Sequence, residues 1–137
     1  NGQSTLMTLD EELKFLEAYS YLFKIRYADK LFFDVDVDEK YLGWKLPAFS
    51  LQPLIDNAVK HNSITRSKPF HISVRTEGDL LVVSNPKVPK LEPEPSTGIG
   101  LENLRNRWHL ITGSDIGIDD DSQTFTVRMP LQNPTAG

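Results

Sequence analysis

Asn57, Lys60 and His61 lie three and four residues apart inside a short apolar pattern, residues 51–61. Such steps stack side chains on one side of a helix. An amide oxygen, an ammonium and an imidazole converging on one surface suit a metal–phosphate group. The amide oxygen is a hard ligand of the kind Mg²⁺ takes while keeping several waters. A solvated helix face gives the same spacing. The second candidate is Thr97-Gly98-Ile99-Gly100-Leu101, ahead of another helical pattern. A helix start attracts anions through its unpaired N–H groups, and glycine lets backbone approach a phosphate without a Cβ in the way. A hinge is the alternative, but a proline-rich stretch feeding a glycine pair at a helix start is the layout of a nucleotide lid. The third is Asn85, at the end of the apolar run Val82-Val83-Ser84. Its amide offers an adenine edge both a donor and an acceptor; an Asn before proline also forms turns. Asn103, Arg105 and Arg107 follow the glycines, and arginines there pair with phosphates or stay solvated.

Other polar groups point to less. Asp119, Asp120 and Asp121 invite a calcium reading, but no Asp-x-Asp-x-Asp-Gly loop with a distal Glu accompanies them. An acidic hairpin turn accounts for the run. His71 and His109 have no acid at a useful spacing in the sequence and read as packed or surface residues. No Ser-His-Asp or paired-carboxylate arrangement supports hydrolase chemistry.

These side chains need elements to hold them. Residues 8–28 predict a helix, with Thr8 and Glu11 at capping-box spacing and Leu9, Leu13, Leu16, Phe23 and Tyr27 as its apolar stripe. That stripe is expected to pack on the chain's own sheet rather than extend a dimer stalk, since only one short heptad-like run is present. Residues 31–37 alternate as a half-buried strand. Residues 51–61 form the second helix, with Pro53 in its first turn. Strands at 70–75 and 80–85 meet across Glu77-Gly78-Asp79. Residues 86–97 hold four of the nine prolines and read as an extended loop, the lid candidate. A third helix is expected at about 101–111 and a closing hairpin at 116–118 and 124–129. The order predicts one α+β domain over residues 1–137: a two-layer sandwich of a mixed, mostly antiparallel sheet with helices on one face.

Composition agrees with one domain. The chain has 137 residues, 39% hydrophobic and 25% charged, near the globular average. Its net charge of -4 argues against a non-specific nucleic-acid partner. Without cysteine, disulfides, thiolate zinc sites and cysteine nucleophiles are excluded. No apolar run reaches the ~18–20 residues of a membrane span, so the chain is expected to be cytoplasmic.

Taken together, these stretches resemble the ATP-binding domain of LytS-type sensor histidine kinases, in the GHKL superfamily with gyrase, MutL and the ATP-dependent heat-shock chaperones. LPAFSLQPLIDNAVKH is similar to the family's N-box. STGIGLENLRNRW resembles its second glycine box, and FTVRMPL its last strand. The opening TLDEELKFLEAYSYLFKIRYADKLFFDVDVD is similar to the stretch after its phosphoacceptor region. The resemblance covers nearly the whole chain.

It implies a Bergerat-type fold with ATP between the N-box helix, a strand end and a lid. Asn57 would hold Mg²⁺, with Asp56 the acid before it and Lys60 and His61 near the phosphates. Gly98 and Gly100 would let the lid close, with the backbone of Ile99 and Leu101 at the helix start. Asn103 and Arg107 match further family positions. Two matches depart from the pattern. Asn85, followed by Pro86 and Lys87, stands where the family has an adenine-binding Asp followed by glycines. Asp56 stands where Glu is usual. The family's phosphoacceptor His lies in an upstream Pro-His-Phe motif, and His61, His71 and His109 do not sit in one. The resemblance therefore implies the catalytic part of a membrane-anchored sensor. Its partners would be its own upstream dimerisation and phosphoacceptor segment and a downstream response regulator. The alternative is a degenerate GHKL domain that works as a protein-interaction module, with little or no nucleotide binding.

Overall fold

The computed structural model describes residues 6–93, 95 and 98–135. Helix α1, Leu9–Tyr27, starts where the capping box places it: the Thr8 hydroxyl accepts from the Glu11 N–H, and the Glu11 carboxylate accepts from the Thr8 N–H. Helix α2 is Leu51–His61 and helix α3 is Ile99–Thr112. Both ends of α3 are glycines with left-handed backbone, Gly98 at φ 73° and Gly113 at φ 74°. L side chains rarely adopt such angles.

Among the described residues, seven strands accompany the helices. β1 (Leu6–Thr8) and β3 (Lys45–Pro47) form a small antiparallel pair that the sequence does not announce, each being three residues long. The main sheet contains β2 (Leu31–Asp36), β4 (Phe70–Glu77), β5 (Leu80–Pro86), β6 (Gly117–Asp120) and β7 (Thr124–Pro130). Its order is β2-β4-β5-β7-β6, with β2 parallel to β4 and every other neighbouring pair antiparallel. This is the mixed, mostly antiparallel sheet expected.

One core joins the layers. Leu9 and Leu16 of α1, Leu51, Leu54, Ile55 and Ala58 of α2, and Leu104 and Trp108 of α3 are all buried in it. They share that cluster with alternate sheet residues: Ile72 and Val74, Leu81 and Val83, Val127 and Met129. The period of two puts each pair on the helix-covered face. Phe23 and Tyr27 pack at its margin, with the Phe23 ring 6.3 Å from that of Phe33 on β2. The α1 stripe thus lies on the chain's own sheet.

Several boundaries shift by one or two residues from expectation, and two of the shifts bear on the site. Pro86 is the last residue of β5, paired with Thr124, rather than the first of a loop. A proline is tolerated at a strand terminus, where the ladder does not need its missing N–H. The next residues are also fixed: the Lys87 N–H donates to the Gln123 carbonyl, the Val88 N–H to the Asn62 side chain, and the Ser63 N–H to the Val88 carbonyl. Of the remaining lid candidate, Glu94, Ser96 and Thr97 lie outside the described residues. At the other boundary, α3 begins at Ile99 and not near Leu101, so Gly100 falls within its first turn.

Candidate functional site

The apolar stripe of α2 turns inward, so its remaining face opens to a cleft of about 400 Å³. Asp56, Asn57, Lys60 and His61 line that cleft from α2; Gly98, Ile99, Gly100 and Leu101 line it from the start of α3. Residues 98–101 and the group Asn57, Lys60 and His61, 37 or more positions apart in the chain, therefore meet across one opening. A Cβ placed on Gly98 or Gly100 would touch nothing within 4 Å, so the backbone there stands open. Lys60 and His61 occupy the last turn of α2 and bring cationic and imidazole groups to the first turn of α3, whose dipole is positive.

A second chamber of about 390 Å³ adjoins the first, sharing Asn57, His61, Gly98 and Leu101 with it. Its further walls include Asn85, Lys87, Asp120 and Phe125. Asn85 is 7% exposed. Its Nδ2 donates to the Pro86 carbonyl at 2.8 Å; the flipped amide would set oxygen against oxygen, so local chemistry fixes this orientation. Lys87, in the stretch where the resemblance implies glycines, forms an ion pair with Asp120 at 2.5 Å.

A buried carboxylate that the sequence reading missed sets the entrance of α2. Glu12 is 1% exposed, accepting from the Leu51 N–H through Oε1 (3.0 Å) and from the Phe49 N–H through Oε2 (3.1 Å). It does the capping that Ser50 does not. The Ser50 hydroxyl instead donates to the Pro47 carbonyl and accepts from the Trp108 indole. Phe49 is held at φ 61°, an uncommon conformation for a bulky side chain, and its ring lines the cleft. Burial pushes the Glu12 carboxyl above its usual value, against the two amides and the Arg107 charge.

Asp56 has its own partner. The Tyr19 hydroxyl of α1 donates to Asp56 Oδ1 at 2.5 Å. Desolvation first, then the hydrogen bond and charge of Asp56, push the Tyr19 phenol up to about 12.

The remaining candidates fall elsewhere. Arg107 does not line either chamber. Its guanidinium donates to the Ala48 carbonyl beside Glu12, so it braces the loop that enters α2. Asn103 and Arg105 are exposed on α3, away from both chambers. The acid partners of the two histidines are supplied by the fold. His71 Nδ1 is 2.8 Å from Asp34 on the neighbouring strand, and His109 Nδ1 is 3.0 Å from Asp115 beyond the helix end. The Asp-rich turn spends each carboxylate separately. Asp119 pairs with Arg128, Asp120 with Lys87, and Asp121 accepts from the Gln123 and Thr124 N–H groups.

Tyr19 and Glu12 each left a signal in the sequence. Glu12 sits between Leu9 and Leu16 on the buried stripe, where a charge requires a partner. Phe15, Tyr19, Phe23 and Tyr27 recur every four residues, and the two tyrosines carry hydroxyls into that row, Tyr19 at the level of α2.

No family model matches the chain. It is 35% identical over 131 residues to "Sensor protein LytS" of Streptococcus agalactiae, an alignment covering 82% of this chain and 22% of that protein. It is 29% identical over 139 residues to "Sensor histidine kinase BtsS" of Escherichia coli, covering 95% of this chain and 25% of the other. The chain thus spans about a quarter of the length of the curated relatives it matches. Among solved structures, the cytoplasmic segment of histidine kinase QseC superposes with a TM-score of 0.63 at 14% identity, covering 96% of this chain and 82% of that one. The catalytic domain of histidine kinase ThkA gives a TM-score of 0.57 at 15% identity, covering 93% and 97%. The chain is therefore a homologue of the LytS- and BtsS-type sensor histidine kinases and carries the fold of a histidine kinase catalytic domain.

Proposed function

We propose that this chain is the ATP–Mg²⁺-binding catalytic domain of a two-component sensor kinase. It transfers the γ-phosphoryl group to a histidine on an upstream segment outside this chain. The observation that carries the reading is the pair of adjoining chambers, one lined by Asn57, Lys60, His61 and the start of α3, the other by Asn85. Polyphosphate suits the first and a purine the second. Within the first chamber the donor set fits Mg²⁺: an amide oxygen on Asn57, with open backbone opposite. When bound, the ion supplies charge stabilisation on the phosphates.

The protein's share of phosphoryl transfer is mainly positioning and electrostatics. Lys60 and His61 neutralise the phosphates, and the backbone from Gly98 to Leu101 approaches them closely. Asn85 offers Oδ1 to the adenine amino group, since its Nδ2 is committed to Pro86. Asp56 polarises the attacking imidazole by accepting its N–H. As the nitrogen–phosphorus bond forms, the bond from the γ-phosphorus to the departing ADP oxygen breaks. The phosphorylated histidine then passes its group to a response regulator, in a parent sensor anchored in a membrane.

Calorimetry of the 137-residue chain with ADP and ATP, with and without Mg²⁺, tests the reading. Wild type is expected to bind in a Mg²⁺-dependent way, and Asn57→Ala to lose that dependence. Absence of any Mg²⁺-dependent affinity at millimolar nucleotide sinks the catalytic reading. It would favour an interaction module, a reading motivated by the Lys87–Asp120 pair and Pro86 at the place of the usual glycines.

A further inference from the structure

Helix α1 grips α2 at two polar points. One is Glu12, at the α2 entrance. The other lies two turns on, where the Tyr19 hydroxyl meets Asp56 Oδ1 at 2.5 Å. We propose that Tyr19 is the positioning residue of Asp56, holding one carboxylate oxygen so that the other is left for the incoming imidazole. The inference rests on the phosphoryl-transfer reading above and adds to it a control point on α1.

Three observations support it. Asp56 is exposed on a stem one methylene shorter than glutamate, and an exposed carboxylate left alone samples several rotamers. A donor from a second element selects one. The donor is itself fixed: the Tyr19 ring packs edge-on to Phe23 (centroids 5.0 Å apart, 87°) and stacks with Phe15 (6.1 Å, 17°). Phe15 in turn packs on Phe49, which lines the cleft (4.8 Å, 64°). Finally, the phenol is pushed up to about 12, so it remains a donor across the neutral range. Asp56 thereby depends on where α1 lies, and a displacement of α1 against α2 would release the carboxylate.

Tyr19→Phe keeps the ring and removes only the donor. In the sensor chain that carries the phosphoacceptor histidine, it should lower the autophosphorylation kcat about tenfold, with KM for Mg·ATP and affinity for ADP unchanged. Asp56→Asn should lower kcat further, and the double variant should be no worse than Asp56→Asn alone, as expected of residues acting as one unit. On the 137-residue chain, tyrosine absorbance should show a phenol titrating at about 12 that disappears in Tyr19→Phe and moves down in Asp56→Asn. Wild-type kcat in Tyr19→Phe overturns the proposal. So does a parallel loss of ADP affinity, which marks a structural role, or an unmoved phenol in Asp56→Asn. Full kcat in Asp56→Asn removes Asp56 from the chemistry and this inference with it, while Mg²⁺-dependent nucleotide binding still decides the underlying reading separately.

Discussion

Asn85 is a residue whose identity suits two neighbours at once. An aspartate there would set a carboxylate oxygen against the Pro86 carbonyl, where the amide now donates. The Asn therefore follows from the strand-terminal proline as well as from any ligand. A neutral acceptor makes a weaker bond to an amino group than a charged one, yet its loss should still be measurable. Asn85→Ala is expected to weaken ADP binding roughly three- to tenfold, the worth of one neutral hydrogen bond. It should also narrow the preference for ADP over GDP, whose ring carries a carbonyl where adenine has its amino group. Competition titrations with the two nucleotides check both; an unchanged preference would take Asn85 out of base recognition. The place of this side chain near a strand end was legible from the apolar run before it. Its orientation was not, because that depends on Pro86 remaining in the strand.

Among the elements, α2 matters most, and its entrance depends on α1. Replacing Glu12 by Gln preserves the shape but turns an –NH₂ toward one of two backbone N–H groups. That should cost about 1–3 kcal/mol at neutral pH, the range for a buried donor left unpaired. The pH dependence carries a sign. Burial raises the Glu12 carboxyl in the folded chain above the ordinary 4.5. Through that interval the folded chain holds more proton than the unfolded one, so wild type loses stability as pH rises through it. Glu12→Gln should lack that slope. Urea melts at a series of pH values test this, and parallel pH profiles for the two proteins would contradict the assignment. This node also marks the limit of reading elements from sequence. The extent of α2 was legible because Leu51, Leu54, Ile55 and Ala58 repeat with helical period. Its cap was not, because the capping oxygen comes from Glu12, 39 residues upstream of Leu51. β1 and β3 escaped for a related reason: three-residue strands carry no period, and only tertiary pairing makes them strands. The parallel pairing of β2 with β4 is likewise a property of the crossover through α2, which no local pattern encodes.

At the scale of the whole molecule, the site is a seam. α2, the start of α3, and the ends of β5 and β7 all border the two chambers, so a ligand there contacts both layers. The net charge of -4 is compatible with the proposed polyphosphate at such a seam, because Lys60 places a local positive charge there. Binding to the folded chain alone stabilises it by mass action, by about 2.7 kcal/mol when ligand is at 100 times Kd. For a domain of this size that corresponds to a rise in Tm of roughly 8–12 °C. The rise should divide into two increments. One comes from nucleotide in EDTA and is carried by the base and by Lys60 and His61. The other appears only with Mg²⁺ and is carried through Asn57. Asn57→Ala should keep the first increment and lose the second; Lys60→Ala should reduce the first. Thermal melts of the three proteins in ADP with EDTA and in ADP with Mg²⁺ make the comparison. Equal Mg²⁺ increments in wild type and Asn57→Ala would move the metal off α2. No increment in any of the three would leave the seam to a protein partner.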